Sequence, residues 1–369
     1  MRKILFIDHS YHTKTGSAQF LIDLLEPRYC IEVLREGWWR KYTGPSRINR
    51  ANYDAIIFWQ MTPFAIAPFL DCANIVFFPM FDSYYKSDIS AIGALPQLSV
   101  VSFCRALHDQ LSGLANDRMY VKYYPRPQTT SGEELGGRGL FFWQRTTDIT
   151  WDTVRRLVGE CRDFGGIHLH RAVDPGIPWL APTAEEERKY AITYSDWFET
   201  KEDYQAQVAR SALYVAPRRK EGIGMSFLEA LAMGKAVLAH DGPTMNEYIV
   251  HGENGYLFDC DHPSLVDLSD LRRIRQNALD SAEDGWRAWE RDKQQIIDFI
   301  ELRMKPQVVP TAARRRTIRR LNTQYVMLRL SKLPRRLIGT FARRLLPNGL
   351  YKTLRGRKHE RKDRLTSLM

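Results

Sequence analysis

Residues 213–259 read LYVAPRRKEGIGMSFLEALAMGKAVLAHDGPTMNEYIVHGENGYLFD. Residues 213–216 form a short apolar run of strand type. Residues 217–224 form a loop holding Arg218, Arg219, Lys220, Glu221 and two glycines. A helical segment over 226–233 is stopped by Gly234, and 236–239 is a second buried strand, followed by a helical turn and a further strand. This alternation is the repeating unit of a parallel α/β sheet. Ligands of such sheets lie off the carboxyl ends of the strands, where a glycine-rich helix entry offers backbone N–H groups to an anion. Gly222, Ile223, Gly224, Met225 and Ser226 make such an entry. Glu221 and Glu229, with seven residues between them, flank it and suit hydroxyl groups better than phosphate. A diphosphate with a polyol at each end, as in a nucleotide sugar, fits that order.

The same unit recurs outward. Strands are expected at 3–8, 30–34, 53–59, 74–79, 98–103 and 121–124, giving a first domain over 1–124. Gly16 and Ser17 lie where the first helix should start, ahead of Phe20, Leu21, Leu24 and Leu25. Residues 125–139, rich in Pro, Gly, Ser and Thr, read as a linker. A second domain over 140–261 has strands at 140–143, 167–170 and 192–194 and helices at 151–160 and 204–211. Residues 262–303 read as helical with an apolar face of Trp286, Trp289, Ile296, Ile297, Phe299 and Ile300, able to cross back to the first domain. Residues 304–369 are a basic tail.

The 369 residues are 44% hydrophobic and 26% charged, which excludes a disordered chain and allows two domains with an appendage. Five scattered cysteines without a CxxC pair read as reduced thiols in the cytosol. The apolar run at the N-terminus is too short for a signal peptide, and no stretch is long and apolar enough to span a membrane. The net charge of +11 is unevenly placed: from Arg303 onward there are 20 Lys and Arg against two acids, while the preceding 302 residues hold 34 bases and 41 acids. Residues 313–346 place Ile318, Leu321, Tyr325, Leu328, Leu337, Ile338 and Phe341 at helical spacing among arginines. Such a pattern suits an anionic membrane surface. A solvated tail is the alternative, and the acidic body argues against nucleic acid. The expected location is cytoplasmic, peripheral on the inner face of the plasma membrane if the tail binds lipid.

Residues 221–234, EGIGMSFLEALAMG, resemble the C-terminal signature of retaining GT-B glycosyltransferases, especially family 4. The likeness continues through 236–239, Glu247 and the run Gly252-Glu253-Asn254-Gly255-Tyr256-Leu257. The resemblance implies two doubly wound Rossmann-like α/β domains with a cleft between them, here with a helical basic tail. It implies a nucleotide-diphosphate sugar as donor, no cofactor or metal, and transfer with retention in which the leaving diphosphate helps deprotonate the acceptor. Glu221 would face donor-sugar hydroxyls and Glu229 the ribose. The amides around residues 222–225 would lie against the sugar and diphosphate, and Ser226 and, from its place in the first strand-to-helix turn, Gly16 are further donor-binding candidates. The acceptor would be a glycan or a lipid-linked glycan, as in bacterial surface polysaccharide synthesis.

The pattern departs from the family at its cations. Arg145 matches the arginine that follows the first strand of the second domain, Gln144 replaces the preceding glycine, and Thr150 stands where a lysine is usual. Lys220, or its neighbours Arg218 and Arg219, would supply the missing charge. Asp82 is the first-domain residue best placed to accept a proton or bind a sugar hydroxyl, with helix N-capping as its alternative role. His9 and His12 read as surface residues, and His168 and His170 as structural. The departures leave a second reading open, a catalytically degenerate GT-B module that binds a nucleotide sugar.

Overall fold

The central strands are near-continuous runs of Ile, Val and Phe, the composition of strands covered on both faces. In the computed structural model the residues described are 1–37, 48, 52–61, 66, 74–84, 86–93, 98–114, 117–128, 138–160, 165–304 and 323. The chain divides into two units, Met1–Val309 and Pro310–Met369. Thr323 alone of the second is among the described residues, so the expected amphipathic tail helices over 313–346 lie outside them, as does most of the linker.

Within the first unit, β1 (Lys3–His9), β2 (Cys30–Glu36), β3 (Ala55–Trp59), β4 (Ile75–Phe78), β5 (Ser99–Ser102) and β6 (Arg118–Tyr120) form one sheet. Its order is β2-β1-β3-β4-β5-β6, parallel throughout. Next come β7 (Leu140–Trp143), β8 (Ile167–His170), β9 (Ile192–Ser195), β10 (Leu213–Val215), β11 (Ala236–His240) and β12 (Gly255–Phe258). They form a second parallel sheet ordered β12-β11-β10-β7-β8-β9. The strand order therefore reverses between β1 and β3 in one sheet and between β7 and β10 in the other. Crevices open at such reversals, beyond the carboxyl ends.

Two sequence expectations are corrected. The sixth strand is Arg118–Tyr120, not 121–124. Val121 and Tyr123 are buried instead in the core that joins the two sheets, where Tyr123 meets Trp289 at 5.0 Å between ring centroids. The long helix begins at Leu271, not near 262. Pro263 and a turn in which the Ser269 N–H donates to the Asp267 carboxylate at 2.9 Å hold back its start.

The 33-residue helix Leu271–Arg303 ties the two sheets together. Near its start, buried Arg275 donates from Nε to the Gly234 carbonyl at 2.9 Å. Further on, Gly285 leaves room for the Tyr124 ring, which a Cβ there would meet at 2.4 Å. Its last turns reach the first domain, where the Tyr29 hydroxyl donates to Glu301 at 2.7 Å and Arg303 pairs with Asp117 at 2.7 Å. A second tie is Glu247. Its carboxylate accepts from the N–H groups of Arg105 (2.7 Å) and Ala106 (3.1 Å), at the start of the first-domain helix Arg105–Gln110, and from the Tyr120 hydroxyl at 3.3 Å.

Candidate functional site

The carboxyl ends of both sheets face a common cleft of about 1240 Å³. Its second-domain wall is the loop from β10 into the helix Met225–Ala232. Gly224 caps that helix with φ +82°, and a Cβ there would lie 1.9 Å from the Phe227 ring. Gly222 packs against the first domain, where a Cβ would meet Met80 at 2.7 Å. The first intrahelical bonds run from the N–H groups of Phe227 and Leu228 to the Gly224 carbonyl, each 3.1 Å. Among the described residues, the N–H groups of residues 222–226 have no backbone acceptor. They are the orphan donors of a helix entry, turned to the cleft. Thr244 fixes the loop by donating its hydroxyl to the Glu221 carbonyl at 2.6 Å.

Glu221 and Glu229 stand at the two ends of this row. Glu221 is half-buried, and burial pushes its carboxyl up to about 7, with Arg218 opposing the shift and Asp82 adding to it. Glu229 accepts from Lys201 Nζ at 2.6 Å, its side chain 12% exposed. Arg145 lies over the Trp143 ring, 4.4 Å from its centroid, and donates from Nε to Asp174 at 2.7 Å. Arg218 donates to the other oxygen of Asp174 and lies 3.6 Å from Asp82. Lys220 is exposed on the cleft lining and makes no ion pair among the described residues. Arg219 also lines the cleft but is held by Asp261 at 2.7 Å.

The first-domain wall is built from the ends of β1, β3 and β4. Asp82 lies within the turn Phe81–Ser83, whose N-cap is Met80, so Asp82 is not a helix cap. Burial raises its carboxyl above the usual range, opposed by Arg218. Gln60, at φ +52°, donates to Ser83 Oγ at 2.9 Å and lies 3.5 Å from an Asp82 oxygen. Such a backbone for a non-glycine residue clusters at functional sites.

His9, at the end of β1, and His12 are not surface residues. His9 is 6% exposed, and His12 is gripped through Nδ1 by the fully buried Asp8, which also holds Arg35. Gly16 does not open a helix. It closes the short helix His12–Thr15 in a left-handed conformation, and its N–H is spent on the His12 carbonyl at 2.9 Å. It lines the cleft but offers no free amide. His168 and His170 are structural: both bond the Ser195 hydroxyl at 2.8 Å, and burial lowers each to about 4.

The structure thus gathers Asp82, Arg145, Lys220, Glu221, Glu229 and residues 222–226 around one cleft. It adds three cleft residues that sequence reasoning missed, Gln60, Asp174 and Lys201, and behind them the buried Asp8 that holds His12. Asp174 carried a signal, an Asp-Pro-Gly turn in the loop that follows β8. Lys201, the first residue of the helix Lys201–Ala209, carried none.

Residues 192–270 match the family model described as glycosyl transferases group 1. The chain is 28% identical over 141 residues to a lipopolysaccharide core biosynthesis mannosyltransferase, LpsB, of Rhizobium meliloti (strain 1021), covering 34% of this chain and 37% of that protein. It is 52% identical over 46 residues to a protein of the same description, LpcC, of Rhizobium leguminosarum bv. viciae, covering 12% and 13%. The chain therefore matches these curated relatives over well under half their length. In three dimensions it resembles Anabaena Alr3699/HepE, solved in complex with UDP, with a TM-score of 0.60 at 14% identity, over 82% of this chain and 100% of that one. The chain has the GT-B fold, and its residues 192–270 carry the sequence pattern of the group 1 glycosyl transferases.

Proposed function

We propose that this chain is a glycosyltransferase that moves a sugar from a nucleotide-diphosphate sugar to a glycan or lipid-linked glycan, with retention, in bacterial surface polysaccharide synthesis. The observation that carries the reading is the row of amides over residues 222–226, without a backbone acceptor among the described residues, bounded by Glu221 and Glu229 and lining one cleft with Arg145. Amides and a guanidinium suit a diphosphate, and carboxylates suit hydroxyls on either side of it. Glu229 takes the ribose, and Glu221 takes hydroxyls of the transferred sugar. Asp82 approaches that sugar from the first domain. In the step itself the bond from the anomeric carbon to the phosphate oxygen breaks, and its electron pair leaves with the diphosphate. The acceptor oxygen bonds to the same face of that carbon and gives its proton to the departing oxygen. Arg145 and the amides meet the developing charge without a metal.

The group 1 match, the lipopolysaccharide mannosyltransferases and the UDP-bound neighbour support this reading. One observation favours a second, a nucleotide-sugar-binding module without turnover. Thr150, where the resemblance puts a lysine, is the N-cap of the helix Trp151–Val158 and brings no charge. A thermal-shift screen with UDP, GDP, ADP, CDP and dTDP sugars tests the shared premise, because a ligand of the native state raises its melting temperature. Turnover of the donor that shifts the melt supports the enzyme, and binding without turnover the module. Transfer unchanged by EDTA supports a metal-free step. We place the protein in the cytoplasm, with residues 313–346 on anionic lipid. Flotation with phosphatidylglycerol vesicles, lost on truncation after Lys305, tests that placement.

A further inference from the structure

A leaving diphosphate carries more than one negative charge, and Arg145 alone does not balance it. The other cations lining the second-domain face, among the described residues, are Lys201, Arg218, Arg219 and Lys220. Lys201 is committed to Glu229, and Arg219 to Asp261. Lys220 is exposed. Arg218 is paired too, with Asp174 and at 3.6 Å from Asp82, but its setting differs from that of the other three. Its side chain is 24% exposed, it stands three residues before Glu221, and it shares Asp174 with Arg145.

The sharing is specific in geometry. Asp174 gives one oxygen to Arg145 Nε at 2.7 Å and the other to Arg218. Its own N–H donates to the Arg145 carbonyl at 3.0 Å, which fixes the loop after β8 against the end of β7. Engaged at Nε and laid on the Trp143 ring, Arg145 has its two terminal nitrogens uncommitted among the described residues. Two guanidinium groups side by side in a half-buried cleft repel, and a carboxylate between them lets both stay. Arg145 can then offer its terminal edge to phosphate oxygens in the paired fashion that suits guanidinium, and Arg218 the N–H groups not turned to Asp174 and Asp82.

We propose that Arg218 is the second cation on the leaving diphosphate, and that Asp174 is the positioning residue that yokes it to Arg145. The inference rests on the donor-site reading above and supplies the charge that Thr150 does not. It makes Arg218, rather than Lys220, the substitute for the family's lysine.

The test is calorimetric titration of the full chain with UDP, GDP and ADP and with the parent nucleosides. For the diphosphate that binds, Arg218→Gln weakens binding at least tenfold and leaves the nucleoside within twofold, while Arg219→Gln changes neither. Arg218→Lys, which keeps the charge and loses the fork, recovers part of the loss and serves if the glutamine variant does not fold. Asp174→Asn weakens the diphosphate at least fivefold but has no further effect in the Arg145→Gln/Arg218→Gln background, as a residue acting through those arginines must. Diphosphate affinity unchanged in Arg218→Gln overturns the cation assignment, and an Asp174→Asn effect that persists without the arginines overturns the yoke. A wild-type chain that binds none of the three diphosphates overturns the donor-site reading, and this inference with it.

Discussion

The two walls of the cleft differ in what their polar groups do. On the second-domain wall Arg145, Arg218 and Asp174 are bound in one network, Lys201 covers Glu229, and a row of amides has no backbone acceptor among the described residues. On the first-domain wall the polar groups lining the cleft include Gln60, Asp82, Ser83, Ser17, His9 and His12, with Lys14 its one cation among the described residues and the buried Asp8 holding His12 in place. Charge is concentrated where an anion would sit. Uncharged hydrogen-bonding groups predominate where a polyol would enter. On the proposed reading one wall stabilises a leaving group and the other orients hydroxyls, so damage to the two should differ in size and kind.

The largest effect should come from the second-domain wall. Glu229→Ala and Glu221→Ala each lower kcat/KM by about 100- to 1000-fold, roughly 3–4 kcal/mol of lost transition-state binding. Asp82→Ala on the opposite wall lowers it about tenfold. Steady-state kinetics on the donor found by the screen decides. An Asp82→Ala loss as large as that of Glu221→Ala would break the contrast between the walls.

The second-domain wall was also the more legible in sequence, for a physical reason. An anion site at a helix entry is made by consecutive residues, so Glu221, Gly222, Gly224 and Glu229 announce it within a few turns of chain. β7 and β8 were readable because LFFW and IHLH are short buried runs between polar loops. The first-domain wall draws single residues from separate strand ends. Nothing near Gln60 shows that it will meet Asp82, and nothing near Asp174 shows that it will sit between two arginines. The displaced sixth strand has the same cause. Val121 and Tyr123 look like a strand, but their apolar surface serves the joint with Trp289. The arginine-containing run Arg118–Tyr120 pairs with β5 at the sheet edge.

The walls can face each other only if the joint holds. Glu247 of the second domain caps the first-domain helix Arg105–Gln110 through two N–H groups and bonds Tyr120. Glu247→Ala leaves those donors unmet and should lower stability by about 2–3 kcal/mol. Glu247→Gln should lose less. Differential scanning calorimetry reads the effect. A Glu247→Ala chain that melts like the wild type would show that the helix Leu271–Arg303 holds the domains alone.

Glu221 gives a pH signature that the first-domain wall should not imitate. Its carboxyl lies at about 7 in the folded protein against an ordinary value near 4.5. The folded state thus holds the proton more tightly than the unfolded one. Its stabilising contribution is complete below about 4.5 and is lost as pH rises through about 7. Glu221→Gln should therefore be the more stable protein at pH 8, by roughly 1–3 kcal/mol, and the difference should vanish below about pH 4. Activity should move the other way, rising through pH 7 as the carboxylate forms to accept sugar hydroxyls. Urea titrations and pH–rate profiles of both proteins test the two opposed slopes. A difference in stability that does not change with pH would mean that Glu221 is charged throughout.

The smallest effect comes from a pair of glycines that look alike. Gly16 on the first-domain wall has φ +60°, and Gly224 on the second has φ +82°. Both are left-handed, a conformation that favours glycine by about 1 kcal/mol. At Gly16 a Cβ meets nothing within 4 Å, and the amide is already spent on His12. Gly16→Ala should cost only that conformational term and leave kcat/KM within threefold. At Gly224 a Cβ would stand 1.9 Å from Phe227 Cε1, so the helix entry must shift. Gly224→Ala should lose more stability and also donor affinity, because the amides of residues 222–226 move with it. Melting curves and nucleotide titrations of the two variants separate a glycine that only turns the chain from one that aims it. Donor affinity lost equally in both would return Gly16 to the donor site.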